Sequence, residues 1–360
     1  MKKSDKIYVA GHRGLVGSAI VRRLQKAGYE NLALRSRSEL DLIEKGAVDD
    51  FFVTQKPDYV FLAAAKVGGI HANDSRPADF IYDNLMIQNN VLRAACEQKV
   101  QKLIFLGSSC IYPRLAPQPM REEYLLSGPL EPTNSAYAVA KIAGIEMCHA
   151  FNRQCQANFV PVMPTNLYGP FDNYDLLSSH AMPAMIRKFH LAKLAAAGDD
   201  AALVADAQIY GSIPNDFYVN LMRIAAFNGH CLSGGGAADK RLPDSCEASA
   251  TVGLWGTGKP MREFLFVDDL AEALLLVMHS YESTKLLNIG TGIDQTLREL
   301  AEIVRSVVGY PGEIAFDASK PDGMPKKLLD ISRLTELGWK PKFTLEEGIQ
   351  AAYESYLTSS

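Results

Sequence analysis

The sequence lacks several features that would place it at once. It has no uninterrupted apolar run approaching about 18 residues, so no membrane-spanning helix is expected. It has no excess of positive charge: 37 Lys and Arg stand against 41 Asp and Glu, a formal net charge of −4. That balance argues against nucleic acid or a polybasic membrane contact as partner. It has no Cys-x-x-Cys or other metal-ligand spacing. Its six cysteines (Cys96, Cys110, Cys148, Cys155, Cys231 and Cys246) are scattered through 360 residues. They read as reduced thiols, so neither a metal site nor a disulfide frame is expected. No apolar signal core follows Met1-Lys2-Lys3-Ser4-Asp5-Lys6, and no internal repeat is visible, so the expected setting is cytoplasmic. What is present is a 48% hydrophobic chain, able to bury a large core and long enough for about two domains.

The chain opens with an apolar strand, Lys6–Ala10, followed by Gly11-His12-Arg13-Gly14-Leu15-Val16-Gly17 and a helical pattern to about Ala27. Glycines at 11, 14 and 17 between a strand and a helix let the backbone approach a pyrophosphate, with the helix N-terminus supplying N–H groups. The alternative is a plain turn. A second strand is expected at about Asn31–Arg35. An NAD-selective site would place Asp or Glu at its end, but the chain reads Arg35-Ser36-Arg37-Ser38. Arg37, with Arg13 from the glycine loop, suits a 2′-phosphate and so NADP(H). The alternative is that both are solvated loop charges. Asp41 and Leu42 follow at the adenine side.

A helix at about Glu44–Thr54, a strand Tyr59–Ala63, a long helix Pro77–Gln98 and a strand ending Leu106-Gly107 continue the alternation, which reaches a strand at Asn158–Val162. The fold class expected is α/β: a Rossmann-type doubly wound parallel sheet over about 1–170. Later segments return to it, and a smaller C-terminal α/β substrate domain fills most of 171–360. Pro164-Thr165-Asn166-Leu167-Tyr168-Gly169-Pro170 reads as a loop over the nicotinamide.

Between these elements lies the chemistry. Leu103–Leu106 runs into Gly107-Ser108-Ser109-Cys110-Ile111-Tyr112-Pro113, and Asn134-Ser135-Ala136-Tyr137 begins a helix carrying Lys141. Tyr137 and Lys141 are four apart and share a helix face. An ammonium one turn away favours phenolate and lowers a phenol pKa of about 10. With Ser108 at a strand end, these groups suit proton transfer to a carbonyl while a cofactor moves hydride. Cys110, two residues beyond Ser108, points to the same side if the strand continues, and is otherwise inert packing. His180 begins a helix at about Ser179–Lys193 and is otherwise a cap. Residues 195–252, with Ser233-Gly234-Gly235-Gly236, show a helical pattern at Phe217–Phe227 but no chemical constellation, and read as a surface excursion, with a lid or an additional subunit contact as the alternatives.

The glycine loop, Ser108, Tyr137 and Lys141 resemble the extended short-chain dehydrogenase/reductase superfamily. Gly107–Pro113, Pro164–Pro170, Met261-Arg262-Glu263-Phe264 and Asp317–Gly323 resemble, within it, the epimerase-reductases of GDP-keto-sugars. The resemblance covers about 1–194 and 253–360; the atypical insertion at about 195–252 departs from it. It implies epimerisation of GDP-4-keto-6-deoxy-D-mannose at C3 and C5, then NADPH-dependent reduction of the C4 ketone. Cys110 would be base and His180 acid, with His180 also beside the cofactor. Tyr137 would be the proton donor, held with Ser108 and Lys141. Lys188, Trp255, Arg262 and Asp322 would contact the GDP-sugar; Arg262 would otherwise pair with Glu263 or Asp268. A homodimer built on Pro77–Gln98 and Ala136–Gln154 is also implied. Two other readings are a 4-epimerase or simple ketoreductase on the same scaffold, and a non-catalytic NADP-binding sensor or scaffold.

Overall fold

A computed structural model describes residues 1–232, 249–320 and 322–358; the glycines at 234–236, Cys246 and Pro321 lie outside them. The chain forms two compact units. The first comprises Met1–Phe171, Glu263–Asp294 and Lys327–Thr344, and the second Asp172–Arg262, Gln295–Lys326 and Leu345–Ser360.

The first unit holds a six-stranded sheet in the order Leu32–Ala33, Ile7–Ala10, Tyr59–Leu62, Lys102–Leu106, Phe159–Pro164, Leu287–Ile289. Every pairing is parallel. Successive side chains enter opposite cores: Tyr8 and Ala10 one, Ile7 and Val9 the other, with Leu103 and Phe105 divided likewise from Ile104 and Leu106. A sheet covered on both faces needs apolar residues at every position, which is why its strands read as continuous runs. Strand order reverses at Ile7–Ala10, and the carboxyl end of such a switch point is where these sheets take a ligand.

The helix Leu15–Lys26 carries two ion pairs to the helix Val267–Ser280, Arg22 with Asp268 at 2.5 Å and Arg23 with Glu272. That second helix ends on a buried cation. Lys102 Nζ donates to the carbonyls of Val277 and Tyr281, each at 2.7 Å, where a positive charge meets the helix's negative end. Burial pulls the Lys102 pKa down to about 8.

The second strand is shorter than its sequence suggests. Arg35 turns its guanidinium back to the Leu34 carbonyl at 2.8 Å, and Ser36 opens a turn closed by Glu39, whose carboxylate accepts from Ser36 N (2.7 Å) and Oγ (2.6 Å).

The second unit contains the helices Ala181–Ala196, Asp200–Tyr210, Asn215–Phe227, Leu297–Val308 and Leu345–Thr358, and a parallel strand pair, Thr251–Trp255 with Glu313–Asp317. Its described residues at 195–232 are not a surface excursion. Leu203, Phe217, Leu221, Met222, Ile224 and Ala225 are all buried. Nor is the region empty of charge chemistry. Asp206 accepts from the Arg187 Nε at 2.8 Å, and both side chains are buried. Arg187 also donates to the carbonyls of Tyr174, Tyr210 and Gly211, and Tyr356 donates to the other Asp206 oxygen. Among the described residues no helix is long and apolar enough to cross a membrane, and no cluster of His, Cys, Asp or Glu is set to hold a metal.

Candidate functional site

The glycine loop is built by steric necessity. Gly11 has φ +83°, and a Cβ there would lie 2.9 Å from the Ala64 backbone. A Cβ on Gly17 would overlap the Gly11 carbonyl oxygen. Gly14 N donates to Gly11 O at 3.0 Å and caps the helix Leu15–Lys26 with no side-chain bond. The first-turn N–H groups thus have no intrahelical or side-chain acceptor and suit an anion, while Leu15 and Val16 pack back on the core. His12 Nδ1 is a buried atom with no protein partner. Burial and the Arg13 charge hold its pKa below the usual value.

Arg13 is exposed, and Arg37 is 78% exposed with only a 3.7 Å ion pair to Asp41. Leu42 is buried in the core, its carbonyl taken by Asn90 at 2.9 Å. Glu39 was missed by the sequence reading. Its carboxylate is held low by the two Ser36 bonds and feels Arg35 and Arg13. The Ser-x-x-Glu spacing of a capping box was the available signal. These residues fit a nicotinamide dinucleotide: a loop only glycine can form, free helix-start amides, and exposed cations beside the second strand.

Ser108, Cys110, Tyr137 and Lys141 are brought together, though not as the strand argument supposes. The strand ends at Leu106, and Ser109–Ile111 forms a 3₁₀ turn capped by Ser108. The turn, not strand alternation, brings Cys110 Sγ to donate to Ser108 Oγ at 3.2 Å. The Ser108 side chain also acts on the Tyr137 phenol and draws its pKa down, and the Tyr137 ring packs edge-on against Phe80, centroids 6.3 Å apart. Lys141 is 4% exposed and donates to Leu106 O at 2.8 Å. Its ammonium lies 5.8 Å from the Tyr137 ring centroid.

The electrostatics reverse one expectation. Burial raises the Tyr137 pKa above the ordinary phenol, with Cys110 adding to the rise and only the Ser108 bond opposing it. Lys141 does not offset this; its own pKa falls by burial to about 8. Burial likewise pushes the Cys110 thiol up, against the opposing charges of Lys327 and Lys141. Tyr137 is therefore a protonated phenol at neutral pH, suited to giving a proton.

The walls around this cluster are fixed by backbone bonds. Gly107 N donates to Val162 O at 2.8 Å. Pro164 ends its strand in register with Ile289, and Leu167 packs on the core. Asn166 Nδ2 donates to Glu263 O at 2.8 Å. Glu263 is fully buried and accepts from Thr291 N (2.6 Å), Gly292 N (2.7 Å) and Leu329 N (3.0 Å). Its carboxylate is thus spent on backbone, not on Arg262, and Asp268 is taken by Arg22.

The other expected residues belong to the second unit. His180 is exposed and caps the helix Ala181–Ala196. Lys188 lies on that helix, its ammonium 5.2 Å from the Phe217 ring centroid, and burial holds its pKa down. Trp255 ends its strand 58% exposed. Arg262 donates to the carbonyls of Met261 (2.9 Å) and Asp322 (3.4 Å). Both Asp322 oxygens accept from Thr257, N at 2.7 Å and Oγ1 at 2.8 Å, so this carboxylate first serves to clamp the turn at Gly256.

Comparison with known proteins adds a family and relatives. The model of the NAD dependent epimerase/dehydratase family matches residues 7–207 and 229–290. The chain is similar to a GDP-L-fucose synthase of Escherichia coli strain K12, 46% identical over 98% of this chain and 97% of that one. It is also similar to GDP-L-fucose synthase 1 of Arabidopsis thaliana, 47% identical over 99% and 94%. Among solved structures it is similar to a GDP-mannoheptose C4 reductase from Campylobacter jejuni with NADP bound. That match has a TM-score of 0.80, with 38% identity over 99% of each chain.

Proposed function

We propose that this chain, which belongs to the NAD dependent epimerase/dehydratase family, converts GDP-4-keto-6-deoxy-D-mannose to GDP-L-fucose. It does so by epimerisation at C3 and C5 and NADP(H)-dependent reduction at C4. The observation that carries this is the line of Cys110, hydrogen-bonded to Ser108, with the Tyr137 phenol under the influence of the same serine and Lys141 behind it. One line joins a thiol able to act on a carbon acid to a phenol able to protonate a ketone oxygen. The similarity to GDP-L-fucose synthases supports the substrate.

A C4 ketone acidifies the C–H bonds at C3 and C5. Cys110 takes each proton in turn, the enolate oxygen being held by Ser108 and Tyr137. His180 returns a proton on the opposite face, which inverts the centre. As base, Cys110 must be a thiolate, and burial keeps that form scarce at neutral pH; the proton it takes and the proton His180 gives are exchanged with solvent before the second centre reacts. When bound, the reduced cofactor supplies hydride to C4. Tyr137 then gives its proton to the C4 oxygen, and Lys141 positions Tyr137 and the ribose. Gly11–Gly17 hold the pyrophosphate, with Arg13, Arg37 and Asp41 at the adenosine end and Leu106, Gly107, Pro164, Asn166 and Leu167 at the nicotinamide end. Lys188, Arg262, Trp255 and Asp322 take the GDP moiety.

A second reading, a C4 reductase without epimerisation, is favoured by the raised Cys110 pKa and by the similarity to a C4 reductase. One incubation in D2O separates the two. With NADPH and the keto-sugar, the expected product carries solvent deuterium at C3 and C5, read by NMR. NADPH consumption without that label would leave only the reductase.

The assembly in this reading is a homodimer through the helices Pro77–Glu97 and Ser135–Cys155, which expose Tyr82 (59%) and Val139 (44%). Tyr82→Glu is expected to halve the mass in sedimentation; an unchanged mass rules that face out. The free thiols Cys96, Cys110, Cys148, Cys155 and Cys231 support a reducing, cytoplasmic setting. Recovery of the protein from an oxidising compartment on cell fractionation would contradict it.

A further inference from the structure

The family match leaves 208–228 out, and that stretch contains the helix Asn215–Phe227. We propose that this helix is a nucleotide-diphosphate recognition element, acting by positioning Lys188 and the strand Thr251–Trp255. The inference rests on the assignment above of Lys188 and Trp255 to the GDP moiety.

Two residues of the helix face Lys188. The Phe217 ring lies under its ammonium, at 5.2 Å, where the negative face of the ring attracts a cation. The Asp216 carboxylate, one residue earlier, acts on the same ammonium and opposes the desolvation that depresses its pKa. The cation is thereby held in one place and partly stripped of water, a setting in which its attraction for a diphosphate is stronger than in bulk solvent.

Asn220 lies one turn beyond Asp216 and Phe217 and so shares their side of the helix. Its Nδ2 donates to Thr251 O at 2.8 Å, and Lys188 Nζ reaches Gly253 O at 3.5 Å. These carbonyls belong to alternate residues and so lie along one edge of the strand that ends at Trp255. Val252 and Leu254 point inward and are buried, whereas Gly253 and Trp255 are exposed. A Cβ on Gly253 would meet nothing within 4 Å. The helix therefore anchors a strand whose outward face is a bare glycine step ending in an aromatic ring. Lys320 Nζ lies 5.5 Å from the Trp255 ring centroid, which leaves the other face of the ring for a flat base while the diphosphate meets Lys188.

The test is calorimetric titration of GDP into the full chain saturated with NADP⁺, together with steady-state kinetics. Lys188→Ala is expected to weaken GDP binding by about 10-fold or more, as befits a lost charge-assisted contact. Phe217→Leu keeps the buried volume but loses the ring face, and is expected to weaken GDP about 3- to 10-fold. Asn220→Ala is expected to weaken it about 5-fold, one hydrogen bond's worth. In both helix variants KM for the GDP-sugar rises in step while kcat and the NADPH KM hold, and Phe217→Tyr, which keeps the ring, restores binding. If Lys188→Ala binds GDP normally, the assignment of Lys188 falls and the inference with it. If Lys188→Ala is weakened but Phe217→Leu and Asn220→Ala are not, the inference alone is overturned. Should Phe217→Leu unfold, Asn220→Ala decides.

Discussion

Tyr137→Phe lowers the rate of C4 reduction by about two to four orders of magnitude, the range contributed by a positioned general acid. Burial gives the expectation its form. The Tyr137 pKa is raised, so the phenol stays protonated throughout the neutral range and donates without first acquiring a proton. The wild-type reductive rate therefore shows no loss from Tyr137 ionisation until the pH passes the ordinary phenol value of about 10. The variant keeps the aromatic ring that packs against Phe80, so its fold should be intact. Solvent deuterium should still enter at C3 and C5, though more slowly, because the proposed pair Cys110 and His180 remains while Ser108 alone is left to hold the enolate oxygen. Stopped-flow absorbance of NADPH together with product NMR reads both quantities. A variant that reduces within threefold of wild type would remove Tyr137 from the reaction, and loss of label together with reduction would mean that one group serves both steps.

Arg187→Ala is expected to cost about 3–5 kcal/mol of stability, as when one partner of a buried pair is removed. The guanidinium is fully buried and serves Asp206 and three backbone carbonyls. Its loss leaves a buried carboxylate and unpaired carbonyls together in an apolar setting. Replacing both partners, Arg187→Met with Asp206→Leu, should cost much less, since no uncompensated charge stays behind. Urea unfolding of the three proteins measures the difference. Equal destabilisation of the single and double variants would show that packing of the arginine stem, not its charge, carries the effect.

The parts of this protein legible in its sequence are those whose cause is local. Gly11 and Gly17 announce themselves because no other residue fits where they sit, and the buried strands do so because both faces must be apolar. The shared face of Tyr137 and Lys141 follows from helical spacing, but the pair stands out only beside Ser108 and the glycine loop. The Ser108–Cys110 contact was anticipated for a mistaken reason: a 3₁₀ turn has no apolar periodicity to distinguish it from one more strand residue. The Lys141 effect on Tyr137 was misjudged because residue type fixes the sign of a charge but not the desolvation around it. Asp206 and Glu263 were illegible for a different reason. Their partners come from elements 19 to 150 residues away in sequence, and nothing in the neighbourhood of either acid marks it as interior. The helix Asn215–Phe227 was visible as a helix, but its bearing on Lys188 needed three dimensions.

The Glu263 carboxylate has a consequence for the order in which the chain can be completed. Its three amide donors lie 28, 29 and 66 residues further along. A ribosome-bound chain that has emerged only as far as residue 320 therefore carries the acid without Leu329, the last of its donors. The loop between them must close before the bond returns anything for the entropy spent, and contacts of long sequence separation form slowly. The wall beside Asn166 is thus finished by residues synthesised near the end. Truncation short of Leu329 leaves the buried Glu263 carboxylate short of a donor, although all six strands of the main sheet are already present.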